Sequence, residues 1–237
     1  MADVRVVPAA EFGQASLTAL LEAVRDHERP RVGLPTGNTP VALYSALRAA
    51  VESGEVDISA WQPVAIDEYG GPRDHPCSNR AFFAQHWDTI PGARPVLQFD
   101  PDGGDLGIPA MEHDFAQNGP LTVSVLGIGL NGHVAFDEPG CTSECTIRRV
   151  ELDSQSRDSA APCWGDHTPT WGLTLGLREL LGARNVIVLA NGERKAAIVA
   201  AAIAGPETSD VPASFARGAH ATWVLDGPAA ALLTPET

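Results

Sequence analysis

Short apolar runs alternate with stretches of helical spacing along the chain, and this alternation restricts the fold more than any other feature. Val4-Arg5-Val6-Val7 reads as a strand, and residues 9–27 carry Leu17, Leu20, Leu21 and Val24 at helical spacing. Arg31-Val32-Gly33-Leu34 is a second strand. Thr39-Pro40 then opens a helix, with Thr39 as its N-cap and Leu43, Tyr44, Leu47 and Val51 on one face. Further strands are read at 63–66, 96–98, 147–152, 185–190 and 221–225, and the most strand-like run is 121–126. Helices are read at 78–87, 108–117, 175–181 and 193–204. Strands joined through helices pair in parallel and must be covered on both sides. The expected fold is therefore α/β: an open, doubly wound, mostly parallel sheet with helices on both faces, a Rossmann-like arrangement.

Such sheets bind ligands outside the carboxyl ends of their strands. Three segments with unusual chemistry follow expected strands. In Gly33-Leu34-Pro35-Thr36-Gly37-Asn38-Thr39-Pro40, Gly37 lets the backbone approach a ligand, and Thr36 and Thr39 flank it. Backbone N–H groups ahead of a helix suit a phosphate. A tight turn capped by Thr39 accounts equally well for the composition, and no Gly-Lys-Ser/Thr follows, so this is not an ATP loop. Asp67-Glu68-Tyr69 ends a strand, and neighbouring carboxylates there point opposite ways. One could serve as a base, but taken alone the pair reads as a solvated strand terminus. The third segment runs from Gly127 to Pro139 and sets His133 near Asn131, Asp137 and Glu138. His titrates near neutral pH, and a carboxylate on its other ring nitrogen would fix its tautomer. Glycines at 127, 129 and 132 miss the dinucleotide spacing, which argues against a nicotinamide cofactor.

Charge and length narrow the partners. With 30 acidic and 16 basic residues the formal charge is −14, so a nucleic-acid surface is not expected. The longest apolar run, 196–204, is nine residues against the roughly 20 a bilayer requires, so no membrane partner is expected. The start, Met1-Ala2-Asp3-Val4-Arg5, lacks an apolar signal core, which points to the cytoplasm. The four cysteines are too few for a disulfide scaffold and are expected as reduced, partly buried thiols. A zinc set of Cys141, Cys145, Cys163 and a His is the weaker reading, because there is no second close Cys pair. His86 and His113 are expected at the surface. Neither an internal repeat nor a low-complexity linker divides the 237 residues, and 206–214 reads as a loop.

Taken together, G-L-P-T-G-N-T-P (33–40), D-E-Y (67–69), H-P-x-S (75–78), G-x-G-x-N-G-H-V-A-F-D-E-P (127–139), L-T-L-G (173–176) and G-E-R-K-A (192–196) resemble the glucosamine-6-phosphate deaminase family, within the group that includes 6-phosphogluconolactonases. The matching stretches span most of the chain, which implies one catalytic domain over 1–237. Tyr69 and the A-F-D-E-P ending favour the deaminase branch, while Ser78-Asn79 is a lactonase-like feature. The resemblance implies conversion of an amino-sugar 6-phosphate, glucosamine 6-phosphate above all, to fructose 6-phosphate and ammonia. Asp67 matches the base that moves a proton between C2 and C1, and His133 the residue that opens the pyranose ring. Glu138 matches the carboxylate that polarises that His, with Asn131 beside it. Thr36, Gly37, Asn38, Thr39 and Lys195 match the phosphate site. No metal and no organic cofactor is implied, because a carboxylate and a His can carry all the protons. The implied partner is a small sugar phosphate, and a homo-oligomer is left open.

Two departures bear on this resemblance. Asn131 stands where some members carry Asp, which would leave His133 less basic. The family's phosphate-binding Arg, counted forward from Glu138 without a gap, falls on Pro162; Arg157 is the nearby cation. In allosterically activated members an effector phosphate is held by a serine pair and an Arg-x-Lys. The corresponding positions here are Cys141 and Thr142, then Arg148, Arg149 and Val150, which implies no such activation. The rival enzyme is a 6-phosphogluconolactonase using His133 to activate water. A galactosamine 6-phosphate substrate is a second alternative. A non-catalytic sugar-phosphate sensor is disfavoured, since about 30 residues before the first loop are too few for a helix-turn-helix module.

Overall fold

The structure is a computed structural model that describes residues 2–218 and 220–234. Six strands form one parallel sheet: β1 (Asp3–Val7), β2 (Arg31–Leu34), β3 (Gln62–Ala65), β5 (Val123–Gly127), β8 (Asn185–Ala190) and β9 (Ala221–Asp226), in the order β1-β9-β8-β5-β2-β3. A second, antiparallel sheet has the order β4-β7-β6, from β4 (Asp67–Tyr69), β6 (Arg148–Glu151) and β7 (Trp171–Thr174). The helices are α1 (Phe12–Val24), α2 (Val41–Glu52), α3 (Asn79–His86), α4 (Gly107–Asn118), α5 (Ser154–Trp164), α6 (Leu177–Leu181) and α7 (Ala196–Ala204).

The main sheet is buried on both sides because its strands are apolar at successive positions. Val123 and Val125 of β5, Ile187 and Leu189 of β8 and Val224 of β9 pack with Leu17 and Leu20 of α1 and Leu43 and Leu47 of α2. Their neighbours Leu126, Val186, Val188, Trp223 and Leu225 pack the other way, with Met111 of α4, Leu177 and Leu180 of α6 and Val199 of α7. Strand alternation thus serves two cores at once, and the doubly wound expectation holds.

Several elements differ from the sequence reading. Residues 63–68 do not continue as one strand. β3 ends at Ala65, and Ile66 turns the chain so that its carbonyl accepts from Leu175 N at 2.8 Å. Asp67–Tyr69 then joins the second sheet against β7, pairing Asp67 with Thr174. β7 itself, Trp-Gly-Leu-Thr, is short and contains a glycine, so it carried no alternating signal. Segment 147–152 is a strand, but it belongs to the second sheet as β6. At 96–98 the chain makes only an isolated bridge, Val64 to Leu97. Thr39 does not cap α2: Pro40 occupies the N-cap position and no side chain caps it. Ser78 does cap α3, accepting from Ala81 N at 3.1 Å. No helix among the described residues is long and apolar enough to cross a membrane.

Candidate active site

Parallel pairing sets the carboxyl ends of β2, β5 and β8 side by side, because β5 pairs with both of the others. The loops that follow them are 35–40, 128–147 and 191–195, so the fold gathers the first and third sequence segments, and Lys195, at one sheet edge. The turn at Ile66 delivers Asp67 and Glu68 to the second sheet beside them.

Both carboxylates of that pair are buried, Asp67 at 8% exposure and Glu68 at 2%, which corrects the expectation of a solvated strand terminus. They are held differently. Glu68 accepts from Asn79 N at 2.9 Å, Arg80 N at 3.0 Å and Tyr69 N at 2.8 Å, and so anchors the N-terminus of α3. Asp67 accepts the side-chain amide of Asn79 at Oδ1, 2.6 Å away. Burial, then the nearby charges of Glu68 and Asp137, pushes the Asp67 carboxyl up to about 8, against a lowering by Asn79. Burial also raises Glu68, to about 7. Of the two, Asp67 has the freer oxygens and the proton affinity of a base that works near neutrality.

Thr36, half-buried, donates to Asn79 Oδ1 at 2.9 Å, which links the loop after β2 to the same amide. Gly37 has φ +93°, a conformation that favours glycine, with open space where a Cβ would sit. Gly37 and Asn38 are exposed and Thr39 is half-buried at the mouth of this loop. Lys195 ends the short 3-10 turn before α7. Its Nζ donates to the carbonyl of Ile128, so it lies over the start of the 127–139 segment. Burial, then the neighbouring Arg194, lowers its ammonium. Asp226 holds the 191–195 loop by accepting Gly192 N at 3.0 Å.

The His133 cluster is assembled by its own loop. Gly129 must be glycine, because a Cβ there would lie 2.3 Å from the His133 ring. Ala135 has φ +50°, a strained left-handed residue between His133 and Glu138. His133 Nδ1 lies 3.3 Å from Glu138 Oε2. Burial pushes the Glu138 carboxyl up, but His133, Ser156 and Asn131 together outweigh it and hold it below its usual value. Asn131 donates to Glu138 Oε2 and to Asp153 Oδ2, each at 2.9 Å, and its Oδ1 accepts His133 N at 3.1 Å. Asn131 therefore bridges two carboxylates and fixes the loop, a task its amide N–H performs and a carboxylate could not.

Two members of this cluster were not read from the sequence. Asp153 caps α5 through Ser156 N at 3.0 Å, and Ser156 Oγ donates to Glu138 Oε1 at 2.5 Å. Ser156 Oγ is also 3.3 Å from His133 Nδ1. A single Asp-x-x-Ser step at a helix start was the available signal, and it resembles any N-cap. Arg157 is exposed on α5, as is Pro162 within the same helix, and neither is among the residues that hold this cluster.

Asp137 turns the other way. It is fully buried and pairs with Arg148 Nη1 at 2.7 Å, while Cys141 Sγ donates to the same oxygen at 3.3 Å. Arg148 also donates to Thr146 O. Arg149 lies over the Trp171 ring at 4.2 Å and pairs with Asp105 and Glu151. Both cations considered for an effector phosphate are thus engaged within the chain.

The cysteines correct the expectation of reduced thiols. Cys77 and Cys163 form a disulfide, while Cys141 and Cys145 are free. The bridge also removes Cys163 from the zinc set considered above. Among the described residues no group of three or more His, Cys, Asp or Glu is placed to hold a metal ion. Trp164 stacks on His75 with centroids 4.0 Å apart and packs against Tyr69, which in turn packs on Phe136 at 4.9 Å. These rings join the Asp67 and His133 sides of the site. His113 is exposed as expected, but His86 is half-buried against Phe82, with centroids 4.4 Å apart.

Residues 7–225 match the family model for glucosamine-6-phosphate isomerases/6-phosphogluconolactonase. A glucosamine-6-phosphate deaminase of Streptomyces coelicolor is 36% identical, with 98% of this chain and 92% of that protein covered. One from Beutenbergia cavernae is 34% identical, over 97% of this chain and 91% of that one. A solved glucosamine-6-phosphate deaminase described as monomeric superposes with TM-score 0.91 at 25% identity, covering 97% and 99% of the two chains. The 6-phosphogluconolactonase of Trypanosoma cruzi shares the fold, with TM-score 0.80 at 22% identity, covering 99% and 97%.

Proposed function

Because the chain belongs to the glucosamine-6-phosphate isomerase/6-phosphogluconolactonase family, we propose that it is a deaminase-isomerase that converts glucosamine 6-phosphate and water to fructose 6-phosphate and ammonia. The observation that carries this reading is the presence of two separate proton-handling centres: buried Asp67, and His133 backed by Glu138. Hydrolysis of a lactone calls for one base to activate water. An aldose–ketose shift calls for one group to open the ring and another to move a carbon-bound proton.

In the proposed course, His133 shuttles the proton between the anomeric hydroxyl and the ring oxygen, and Glu138 holds the imidazole through Nδ1 for that step. Asp67 in its ionised form takes the proton from C2 while the C1 oxygen gains one, giving an enolamine with nitrogen still on C2, and then delivers a proton to C1. The nitrogen on C2 is then an iminium. Water adds at that carbon, the C–N bond breaks, and ammonia leaves as the ketone forms. Asn131 keeps Glu138 and the His133 loop in register. Thr36, Gly37, Asn38, Thr39 and Lys195 hold the 6-phosphate, with the Lys195 ammonium as a point-charge partner. Residues 1–237 act as one catalytic domain with a small sugar phosphate as partner. The reaction is placed in the cytoplasm, since a charged sugar phosphate does not cross a membrane unaided.

The test is ammonia release from glucosamine and galactosamine 6-phosphates, run beside hydrolysis of 6-phosphogluconolactone. Ammonia release with the glucosamine epimer preferred is expected. Lactone hydrolysis without deamination would overturn the reading.

A further inference from the structure

Asn79 is buried at 4% exposure, and its carboxamide is fully committed. Both Nδ2 hydrogens go to Asp67, one to Oδ1 at 2.6 Å and one to the backbone carbonyl at 3.0 Å. Its Oδ1 accepts the Thr36 hydroxyl at 2.9 Å. A flipped amide would set oxygen against two oxygens, so the partners fix its orientation. Its backbone is pinned as well, because Asn79 N donates to Glu68 Oε1 and the preceding Ser78 caps α3.

We infer that Asn79 is a positioning residue: its carboxamide couples Thr36, in the loop after β2, to the Asp67 carboxylate and aims that carboxylate for the proton transfer. This rests on the reading of Asp67 as the base. The amide leaves one Asp67 oxygen clear of the clamp and prevents the side chain from turning toward the α3 N-terminus, where Glu68 already sits. It also offsets the surroundings. Burial, then Glu68 and Asp137, disfavours charge on Asp67, and Tyr44 of α2 and Tyr69 of β4 face it as weak acids held neutral first by their own burial and then by Asp67. Among these influences the Asn79 hydrogen bond is the one that favours the ionised base. Thr36 lies in the loop after β2 of the main sheet and Asp67 in β4 of the second, so the amide also makes the phosphate loop and the base move as one unit.

The test uses N79A and N79S, with two readouts. In the kcat/KM profile, N79A should move the acidic limb upward by about one pH unit, a tenfold loss at the acid end, with KM on the alkaline plateau nearly unchanged. N79S keeps one donor and should move it less. Independently of turnover, carboxyl 13C signals of labelled aspartate, with D67N to assign Asp67, should titrate higher in N79A by the same amount. Should N79A fail to fold, N79S carries both measurements. An unmoved Asp67 titration in a folded variant overturns the inference, even if kcat has fallen. A moved titration in a protein that releases no ammonia from any amino-sugar 6-phosphate supports the coupling and rejects the proposed function instead.

Discussion

Cys77 and Cys163 stand 86 residues apart in the chain, yet their Cα atoms are 5.9 Å apart and their sulfurs are bonded. Cys77 immediately precedes Ser78, the cap of the helix that clamps Asp67, and Cys163 lies near the end of the helix whose start carries Ser156. The bridge therefore ties the far end of α5 to the Asp67 side of the site, while Ser156 ties its near end to Glu138 and His133.

Cys163→Ser should lower unfolding free energy by about 2–4 kcal/mol, because a closed loop of this length restricts the unfolded chain. Denaturant titrations with and without a dithiol reductant would check it. Cys163 is exposed, so reduced wild type should match the variant. Wild-type stability indifferent to reductant would contradict the prediction.

Asp67→Asn should reduce kcat by roughly a hundredfold or more while leaving sugar-phosphate binding nearly intact, as expected for a general base. In the wild type kcat/KM should fall as pH drops below about 8, where the base becomes protonated. Steady-state assays across pH 6–10 decide both (a range chosen to span roughly two units either side of the titration).

The same residue gives a stability prediction of opposite sense. Unfolded Asp ionises near 3.8 and folded Asp67 near 8, so between these values the native state holds one more proton than the unfolded state. Wild-type stability should therefore decline with rising pH through that window, and Asp67→Asn should lose the Asp67 share of the decline while keeping the share of Glu68, which burial raises to about 7. Thermal melts should show the variant gaining on wild type from pH 5 upward, with the gap widest above pH 8 and on the order of a few kcal/mol.

Lys195→Ala should raise KM by roughly 10- to 100-fold with a smaller change in kcat, since a phosphate contact is made equally in the ground and transition states. A fall in kcat at unchanged KM would place Lys195 elsewhere in the reaction.

Substrate saturation should be hyperbolic and unaffected by N-acetylglucosamine 6-phosphate. Arg148 is paired with Asp137 and Arg149 lies on Trp171, and Val150 offers no charge. A sigmoidal curve made hyperbolic by that compound would show that one of these arginines can be drawn away.

The sequence by itself determined the layered α/β fold and the loop contents, because both are local. Continuous apolar strands such as 186–190 can be buried only in a sheet covered on both sides, and Gly129, Asn131, His133 and Glu138 lie within one turn-rich segment that builds its own geometry. Tertiary structure decided whatever depends on contacts distant in sequence. Asp67 and Glu68 look equivalent in the chain, and only the turn at Ile66 and the approach of α3 make one a helix anchor and the other a buried carboxyl with a raised proton affinity. Asp153 and Ser156 show in the sequence only as an N-cap step, and Asn79 only as half of the Ser78-Asn79 pair; their roles arise because α5 and α3 pack their N-termini onto the two centres. The Cys77–Cys163 bridge depends on a 5.9 Å approach that no spacing rule encodes. Periodicity records which side of an element is buried, whereas a hydrogen bond between residues far apart exists only once burial has fixed both backbones.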